Sequence, residues 1–189
     1  MNPQELLSFL HTAELLKRRM RHCWNPEGRR ESVAEHCWRT ALMADLLRSE
    51  FPEVDMDRVV SMCLWHDLGE AVTGDIPVFQ KTGTDEKREE LVIAELLSDI
   101  PQPQKSRLEQ LFAEMLQLQT PEAKLYKSLD KLEALISHNE AELDSWLPLE
   151  YDLQLTYGAD KVGFSSYLTR LKAELDDWTR KKIAEEGNR

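Results

Sequence analysis

A histidine and an aspartate stand side by side at His66 and Asp67, within the otherwise apolar segment 62–70. Taking two such groups out of water is costly unless hydrogen bonds or an opposite charge compensate them. A divalent cation would supply that charge, because imidazole and carboxylate are both metal ligands. The plainer interpretation is a helix end, with His66 as a cap and Asp67 as a solvated charge. Further ligands would favour the metal, and the sequence offers His36 upstream and Asp130 downstream.

The spacing around this pair suits a metal centre on a helix. Adjacent helical residues differ by about 100° in direction, so His66 and Asp67 can both reach one cation beside the helix. Glu70 follows four residues after His66 and would share its face. With His36 and Asp130 the set contains two imidazoles and two carboxylates, which suits borderline ions such as Mn, Co, Fe or Zn. Four protein ligands leave positions for water and substrate, as hydrolysis requires. Chance occurrence of unrelated helical residues is the alternative.

Helices must position these residues, and the sequence predicts an all-α chain. Apolar residues recur at helical spacing, and the predicted helices cover about residues 5–20, 32–51, 55–72, 85–100, 106–118, a segment opened by Thr120, and 163–183. Ser32 and Glu35 form a predicted capping box that places His36 in the first turns of its helix. Thr120 is a predicted N-cap followed by Pro121, and Asp130 lies in the helix that they open.

Length and composition predict one domain over residues 1–189, with a motif-bearing core at about 5–140 and C-terminal helices at about 141–185. The hydrophobic fraction of 41% and the charged fraction of 31% are typical of a globular protein. A net charge of −11 argues against binding a nucleic-acid polymer. No apolar run approaches the length of about twenty residues that spans a membrane. The odd count of three cysteines and the lack of a signal-peptide pattern predict reduced thiols in the cytoplasm.

The spacing of His36, His66-Asp67 and Asp130 resembles that of the HD-domain metal-dependent phosphohydrolases. Two longer segments are similar to the 5′-deoxynucleotidase subgroup, residues 31–36 (Glu-Ser-Val-Ala-Glu-His) and residues 66–77 (His-Asp-Leu-Gly-Glu-Ala-Val-Thr-Gly-Asp-Ile-Pro). The resemblance covers about residues 5–140 and implies a single HD-domain helical bundle. It also implies a phosphomonoesterase that hydrolyses (deoxy)ribonucleoside 5′-monophosphates to nucleoside and phosphate by means of metal-activated water.

The same resemblance assigns expected roles to individual residues. The main divalent cation (Mn, Co, Zn, Fe or Mg) would be held by His36, His66, Asp67 and Asp130. Glu70 and Asp75 would be the catalytic acidic residues beside it. Members of the subgroup suggest a second cation held by Glu70, Asp75 and the carbonyl of Ile76. Lys131, directly after Asp130, is expected to contact the phosphate or to pair with a carboxylate.

Arg21 is the expected substrate-binding arginine. It lies fifteen residues before His36, the offset of an arginine that contacts substrate in the subgroup, and a guanidinium matches phosphate geometry. Arg18 and Arg19 are nearby alternatives. The subgroup also has an aromatic residue beside this arginine that senses the missing 2′-hydroxyl, whereas this chain has His22. The preference between deoxyribose and ribose therefore stays open.

Three other residues near the predicted ligands are expected to have plain structural roles. Cys37 and Cys63 are interpreted as small buried side chains, because thiolate ligation belongs to a different zinc ligand set. His138 is interpreted as a surface histidine or one whose hydrogen bonds are satisfied.

Two other functions and one assembly remain open at this stage. The site could act on another phosphoester, such as a cyclic nucleotide, a guanosine polyphosphate or a non-nucleotide. Alternatively, the chain could be a non-catalytic helical module in which a metal only staples the core, although such a site needs no extra acids. The resemblance further implies a homodimer, and the apolar C-terminal helices agree with that expectation.

Overall fold

Three helices pack together at the centre of the computed structural model, which describes residues 1–186. They are α2 (Val33–Leu46), α3 (Met56–Trp65) and α7 (Pro121–Glu140). Their facing side chains, among them Ala44, Val59, Met62, Leu129 and Leu132, are fully buried. Each large apolar side chain of this kind contributes about 1.5–3 kcal/mol relative to an exposed one. The packing of these three helices fixes where their polar residues meet.

Shorter or more peripheral elements surround the three central helices. They are α1 (Pro3–Ala13), strands β1 (Met20–Trp24) and β2 (Arg30–Ser32), α4 (Glu70–Thr73), α5 (Gly83–Ser98), α6 (Gln104–Gln117), α8 (Glu150–Thr156) and α9 (Ser166–Glu186). Helix α9 packs against α7 through buried residues that include Leu168 and Leu175. The mainly helical fold class is confirmed. Within residues 1–186, no helix is both long and apolar enough to cross a membrane.

The predicted first helix is wrong in its second half. Helix α1 ends at Ala13, a 3-10 turn covers Glu14–Lys17, and Met20 begins strand β1. Strand β1 pairs with β2 in an antiparallel hairpin around a loop at Asn25. The Asn25 side chain accepts hydrogen bonds from two backbone N–H groups of that loop. The strand therefore depends on a partner that helical periodicity cannot reveal.

Both predicted helix caps are present. The Ser32 hydroxyl accepts the N–H of Glu35 at 3.3 Å, and the Glu35 carboxylate accepts the N–H of Ser32 at 2.8 Å. Thr120 likewise accepts the N–H of Ala123 at 3.1 Å, at the start of α7. Caps of this kind contribute about 1 kcal/mol each, and they fix the first residue of α2 and of α7.

The helix predicted over residues 55–72 is interrupted at His66. Helix α3 ends at Trp65, and a turn over residues 66–69 leads to the short helix α4. The turn is tightened by i→i+3 hydrogen bonds, such as the N–H of Leu68 to the Trp65 carbonyl at 3.0 Å. A Cβ at Gly69 would lie 3.2 Å from Cγ1 of Ile93. The missing side chain of Gly69 therefore allows helix α5 to pack closely against this turn.

Candidate metal centre

Four predicted metal ligands converge on one point. The Nε2 atoms of His36 and His66 lie 3.2 Å apart. Oδ2 of Asp67 lies 3.1 Å from the His66 nitrogen, and Oδ1 of Asp130 lies 3.2 Å from the His36 nitrogen. The remaining nitrogen-to-oxygen distances are 3.6 and 3.8 Å. Two ligand atoms each about 2.1 Å from one ion lie about 3.0–3.4 Å apart, so this spacing fits a shared cation.

The other ring nitrogen of each histidine has its own acceptor. Nδ1 of His66 lies 2.9 Å from the carbonyl oxygen of Cys63, and Nδ1 of His36 contacts a carboxylate oxygen of Glu133. These acceptors assign the proton of each neutral ring to Nδ1, which leaves both Nε2 atoms with lone pairs. Two lone-pair nitrogens and two carboxylate oxygens then face one another, and such a group is repulsive without a cation. The chemistry of this donor set therefore fits a divalent metal.

The electrostatics of the centre also favour positive charge. Burial lowers the pKa of both imidazoles, but the neighbouring carboxylates outweigh it, so the pKa of His36 is raised and that of His66 lies well above its usual value. Burial raises the pKa of Asp130, but Lys127 and both imidazoles hold it well below its usual range. Protons and a metal would therefore compete for the same ring nitrogens.

A buried ion network lies behind His36, and sequence reasoning missed it. Glu133 is completely buried and pairs with His36 through one oxygen and with Nε of Arg39 at 2.6 Å through the other. Arg21, the predicted substrate arginine, lies 3.5 Å from Glu133 and 2.6 Å from Glu31. Burial alone would raise the pKa of Glu133, but His36 and the two arginines outweigh it and lower that pKa to about 2. Carboxylates with such partners orient a ligating histidine and increase its basicity.

The sequence did carry a signal for this network. Arg39 lies three residues after His36, and Glu133 lies three residues after Asp130, so each pair shares a helix face. The oxygens of Glu31 and Glu133 also lie near His36 in an arrangement that could hold a cation. Their contacts with Arg21 and Arg39 already supply positive charge at that position. The four-ligand centre is the better cation site of the two.

Lysine side chains border Asp130, but not as the sequence suggested. Nζ of Lys127 lies 2.7 Å from Oδ2 of Asp130, so Lys127 is the lysine that pairs with this carboxylate. The ammonium of Lys131 instead lies 4.0 Å from the ring centroid of Tyr157. Burial, followed by the nearby charge of Lys127, lowers the pKa of Lys131. Both lysines line the cavity that contains the candidate metal centre.

The two predicted catalytic acids lie in the same cavity. Burial, with the carboxylates of Asp67 and Asp75, raises the pKa of Glu70 to about 9. Oε2 of Glu70 is buried, and within the described part of the chain it has no hydrogen-bond partner. Burial and Asp67 also raise the pKa of Asp75, although Arg21 opposes them. Glu70 therefore presents a buried carboxyl oxygen without a hydrogen-bond donor from the described residues beside the ligands, close to the carboxylate of Asp75.

Gly74 fixes the direction of the chain between the two acids. Its backbone has φ +79° and ψ 158°, a conformation that side-chain-bearing residues rarely adopt. We expect Gly74→Ala to lower the free energy of unfolding by about 1–3 kcal/mol and to reduce phosphate release, because the strain displaces Asp75. Urea denaturation and a phosphate assay test this. Gly83→Ala, where an added Cβ meets nothing within 4 Å, is the control and should change neither. Unchanged activity in Gly74→Ala would contradict a role for Asp75.

The cavity has a volume of about 300 Å³, within the range of small-molecule sites. Arg21, His36, Asp67, Glu70, Asp75, Ile76, Asp130 and Lys131 all line it. His138 lines it too, and it is buried, whereas the sequence interpretation favoured a surface histidine or one whose hydrogen bonds are satisfied. Helix α8 and the residue that follows it complete the wall with Glu150 and Tyr157. The cysteine interpretation is confirmed, since Cys37 and Cys63 are buried and free.

Comparisons with known proteins show what this chain is similar to. The model of the HD domain family matches residues 13–171. The human "5'-deoxynucleotidase HDDC2" is 32% identical over 143 residues, which cover 74% of this chain and 69% of the relative. The Schizosaccharomyces pombe "5'-deoxynucleotidase hdd1" is 29% identical over 147 residues, which cover 72% of each. A crystal structure described as a "Predicted metal-dependent phosphohydrolase from Magnetospirillum magnetotacticum MS-1" has a TM-score of 0.78 and 28% identity, covering 95% of both chains.

Proposed function

The chain belongs to the HD domain family, and from that premise we propose that it is a metal-dependent hydrolase of nucleoside 5′-monophosphates. It would release a nucleoside and inorganic phosphate, as the names of its human and yeast relatives imply for those proteins. The observation that carries the proposal is the convergence of four lone-pair ligand atoms beside the buried carboxyl group of Glu70 and the half-buried one of Asp75. Neither another phosphoester substrate nor a purely structural metal is favoured by these relatives.

In this proposal His36, His66, Asp67 and Asp130 hold a divalent cation, for which Mn, Co, Zn, Fe and Mg are the candidates. A cation there would lower the pKa of a water molecule and neutralise the oxygens of a phosphate. The protein keeps the two imidazoles in the ligating tautomer through Glu133 and the Cys63 carbonyl. It also keeps Asp130 charged through Lys127.

Glu70 and Asp75 are the groups that would hold or transfer a proton beside that centre. The Glu70 carboxyl, with its pKa raised to about 9, would hold a proton at neutral pH when no extra positive charge is near, and its Oε2 is not bound by any described residue. Glu70, Asp75 and the carbonyl of Ile76 are also the groups that would hold a second cation, because two adjacent carboxylates need positive charge to be ionised together.

Cationic side chains then receive the substrate phosphate. Arg21, Lys127 and Lys131 line the cavity, and we assign phosphate contacts to Arg21 and Lys131. Arg21 has only 12% of its side chain exposed and is held by Glu31, so its guanidinium is positioned before substrate arrives. The ammonium of Lys131, which lies over the ring of Tyr157, would turn toward the phosphate.

Phosphate release tests the proposed function directly. The protein is stripped of metal, reloaded separately with Mn, Co, Zn or Mg, and offered ribo- and deoxyribonucleoside 5′-monophosphates. We expect turnover with at least one metal and none without metal, because the phosphate oxygens need a cation.

Comparison variants keep this assay interpretable. Glu70→Ala should lose turnover while retaining the metal, whereas His11→Ala on the exposed face of α1 should match wild type. Failure on every nucleotide but turnover of another phosphoester would overturn the substrate assignment. If no phosphoester is hydrolysed but metal still raises the melting temperature, the chain would be the non-catalytic module in which a metal only stabilises the core.

We further propose that the chain acts as one domain, as a homodimer, in the reducing cytoplasm. One apolar cluster joins α2, α3, α7 and α9, which supports a single folding unit. The three free cysteines are all buried, in keeping with a reducing compartment. For the dimer, the apolar residues of α9 give weaker support than the sequence suggested, because Leu168 and Leu175 pack against the core. Exposed Trp38, Leu42 and Leu46 along α2 offer a better contact surface.

A further inference from the structure

A second polar cluster lies in the wall of the same cavity, away from the metal ligands. It consists of His22 on β1, His138 on α7 and Glu150 on α8. Oε1 of Glu150 lies 3.2 Å from Nε2 of His22 and 3.3 Å from Nε2 of His138. The metal centre as described above uses none of these three residues.

The cluster has unused hydrogen-bonding capacity. Glu150 is 4% exposed and His138 is 7% exposed. Although both Nε2 atoms lie close to Glu150, neither makes a hydrogen bond of acceptable geometry with any of the described residues. The other carboxylate oxygen of Glu150 is occupied by the N–H of Leu147 at 2.6 Å. Buried polar atoms without a hydrogen bond are costly, so a polar ligand atom that binds to this cluster would be favourable.

The position of the cluster relative to the ligands suggests which part of a substrate it meets. Asp130 and His138 lie on the same helix, and the eight residues between their positions correspond to about 12 Å along the axis. A nucleotide whose phosphate lies at the metal centre extends its base, the part farthest from the phosphate, along the cavity. Phe79 also lines the cavity, and its ring centroid is 5.6 Å from that of His22, so an aromatic surface adjoins the polar groups.

We propose that His22, His138 and Glu150 form a nucleobase subsite. The edge of a base carries N–H donors and ring or carbonyl acceptors side by side. An N–H donor of the base would bind Oε1 of Glu150, and the two imidazoles, whose buried Nε2 atoms now face that oxygen, would turn toward the base to donate to or accept from its neighbouring atoms. The ring of Phe79 would cover the face of the base. This inference rests on the proposed function and extends it from the phosphate to the base.

Two substrates that share the deoxyribose 5-phosphate, one with a base at C1 and one with a hydroxyl there, provide the test. We compare deoxynucleoside 5′-monophosphates with 2-deoxyribose 5-phosphate, using metal-loaded full-length protein and the variants Glu150→Gln and His138→Phe. Glu150→Gln retains an acceptor for Leu147, and His138→Phe retains the ring that packs on Trp146. We expect kcat/KM for the nucleotides to fall by about tenfold or more, mainly through KM, because a hydrogen bond to a charged group is lost. For 2-deoxyribose 5-phosphate, kcat/KM of both variants should stay within about twofold of the wild-type value.

The control variant is His11→Phe, the same chemical change at an exposed position of α1, and it should leave both substrates unaffected. An equal loss on both substrates would assign the cluster a structural role and overturn the inference, as would unchanged kinetics in both variants. If wild type does not turn over 2-deoxyribose 5-phosphate, the inhibition constant of a free deoxynucleoside is measured instead, and it must rise in both variants. Absence of turnover on every nucleotide by wild type contradicts the proposed function itself.

Discussion

Replacing His66 with alanine should reduce metal-dependent phosphate release by more than about a hundredfold. Removing only the hydrogen-bond partner of a metal ligand typically costs about 10–100-fold, and this variant removes the ligand itself. The reason is geometric, because Nε2 of His66 lies 3.1–3.6 Å from the other three ligand atoms and alanine removes one of the four ligands. Wild type at a metal concentration of about 100 times Kd should gain about 2.7 kcal/mol of stability. His66→Ala should lose most of that gain in a thermal melt.

The two readouts separate a metal ligand from a residue that only supports the fold. A structural role for His66 predicts a lower melting temperature without metal but a preserved shift when metal is added. The matched control is His11→Ala on α1, where the shift and the activity should equal those of wild type. Retained activity in His66→Ala would falsify the assignment of this centre.

Glu133→Ala should lower the free energy of unfolding by about 3–5 kcal/mol, since it leaves buried cations without their partner. Glu133 is completely buried and contacts His36, Arg39 and Arg21. Metal affinity should fall by about 10–100-fold as well, because His36 loses the group that orients it. Urea denaturation measures the first effect, and calorimetric titration with the reloading metal measures the second.

Glu140 supplies the control for Glu133, because it pairs with the same arginine at the surface. The carboxylate of Glu140 lies 2.5 Å from Nη1 of Arg39 and is 36% exposed. Exposed pairs contribute about 0–1 kcal/mol, so Glu140→Gln should change stability little and metal affinity not at all. Equal effects of the two variants would contradict the importance of the buried network.

The pH dependence of the metal-free protein adds a test of the same residue. The ionised Glu133 contributes stability above the usual pKa of a glutamate, and that contribution is lost as the pH falls toward its folded pKa of about 2. Glu133→Gln lacks this contribution at every pH. The difference in unfolding free energy between wild type and Glu133→Gln should therefore shrink as the pH is lowered from about 4.5 toward 2. A difference that stays constant over this range would contradict the low pKa.

Local signals in the sequence were reliable where a few neighbouring residues decide the structure. The capping box at Ser32 and the cap at Thr120 involve bonds between residues three apart, so their pattern is visible in the chain itself. The types of the ligand residues also stand in the sequence, because imidazole and carboxylate chemistry does not depend on the fold. The mainly helical class followed from composition and apolar periodicity.

Only the tertiary structure decided how those residues are arranged. The hairpin of β1, the turn at His66 and the contact between His36 and Glu133, which are 97 residues apart, all depend on elements distant in sequence. The same holds for the wall contributed by Glu150, since nothing in the local pattern of α8 indicates that it faces the cavity. Chemical identity and local hydrogen bonds are properties of short segments. The distances between ligands, the tautomers and the depth of burial arise from packing of α2, α3 and α7, which follows from the whole chain.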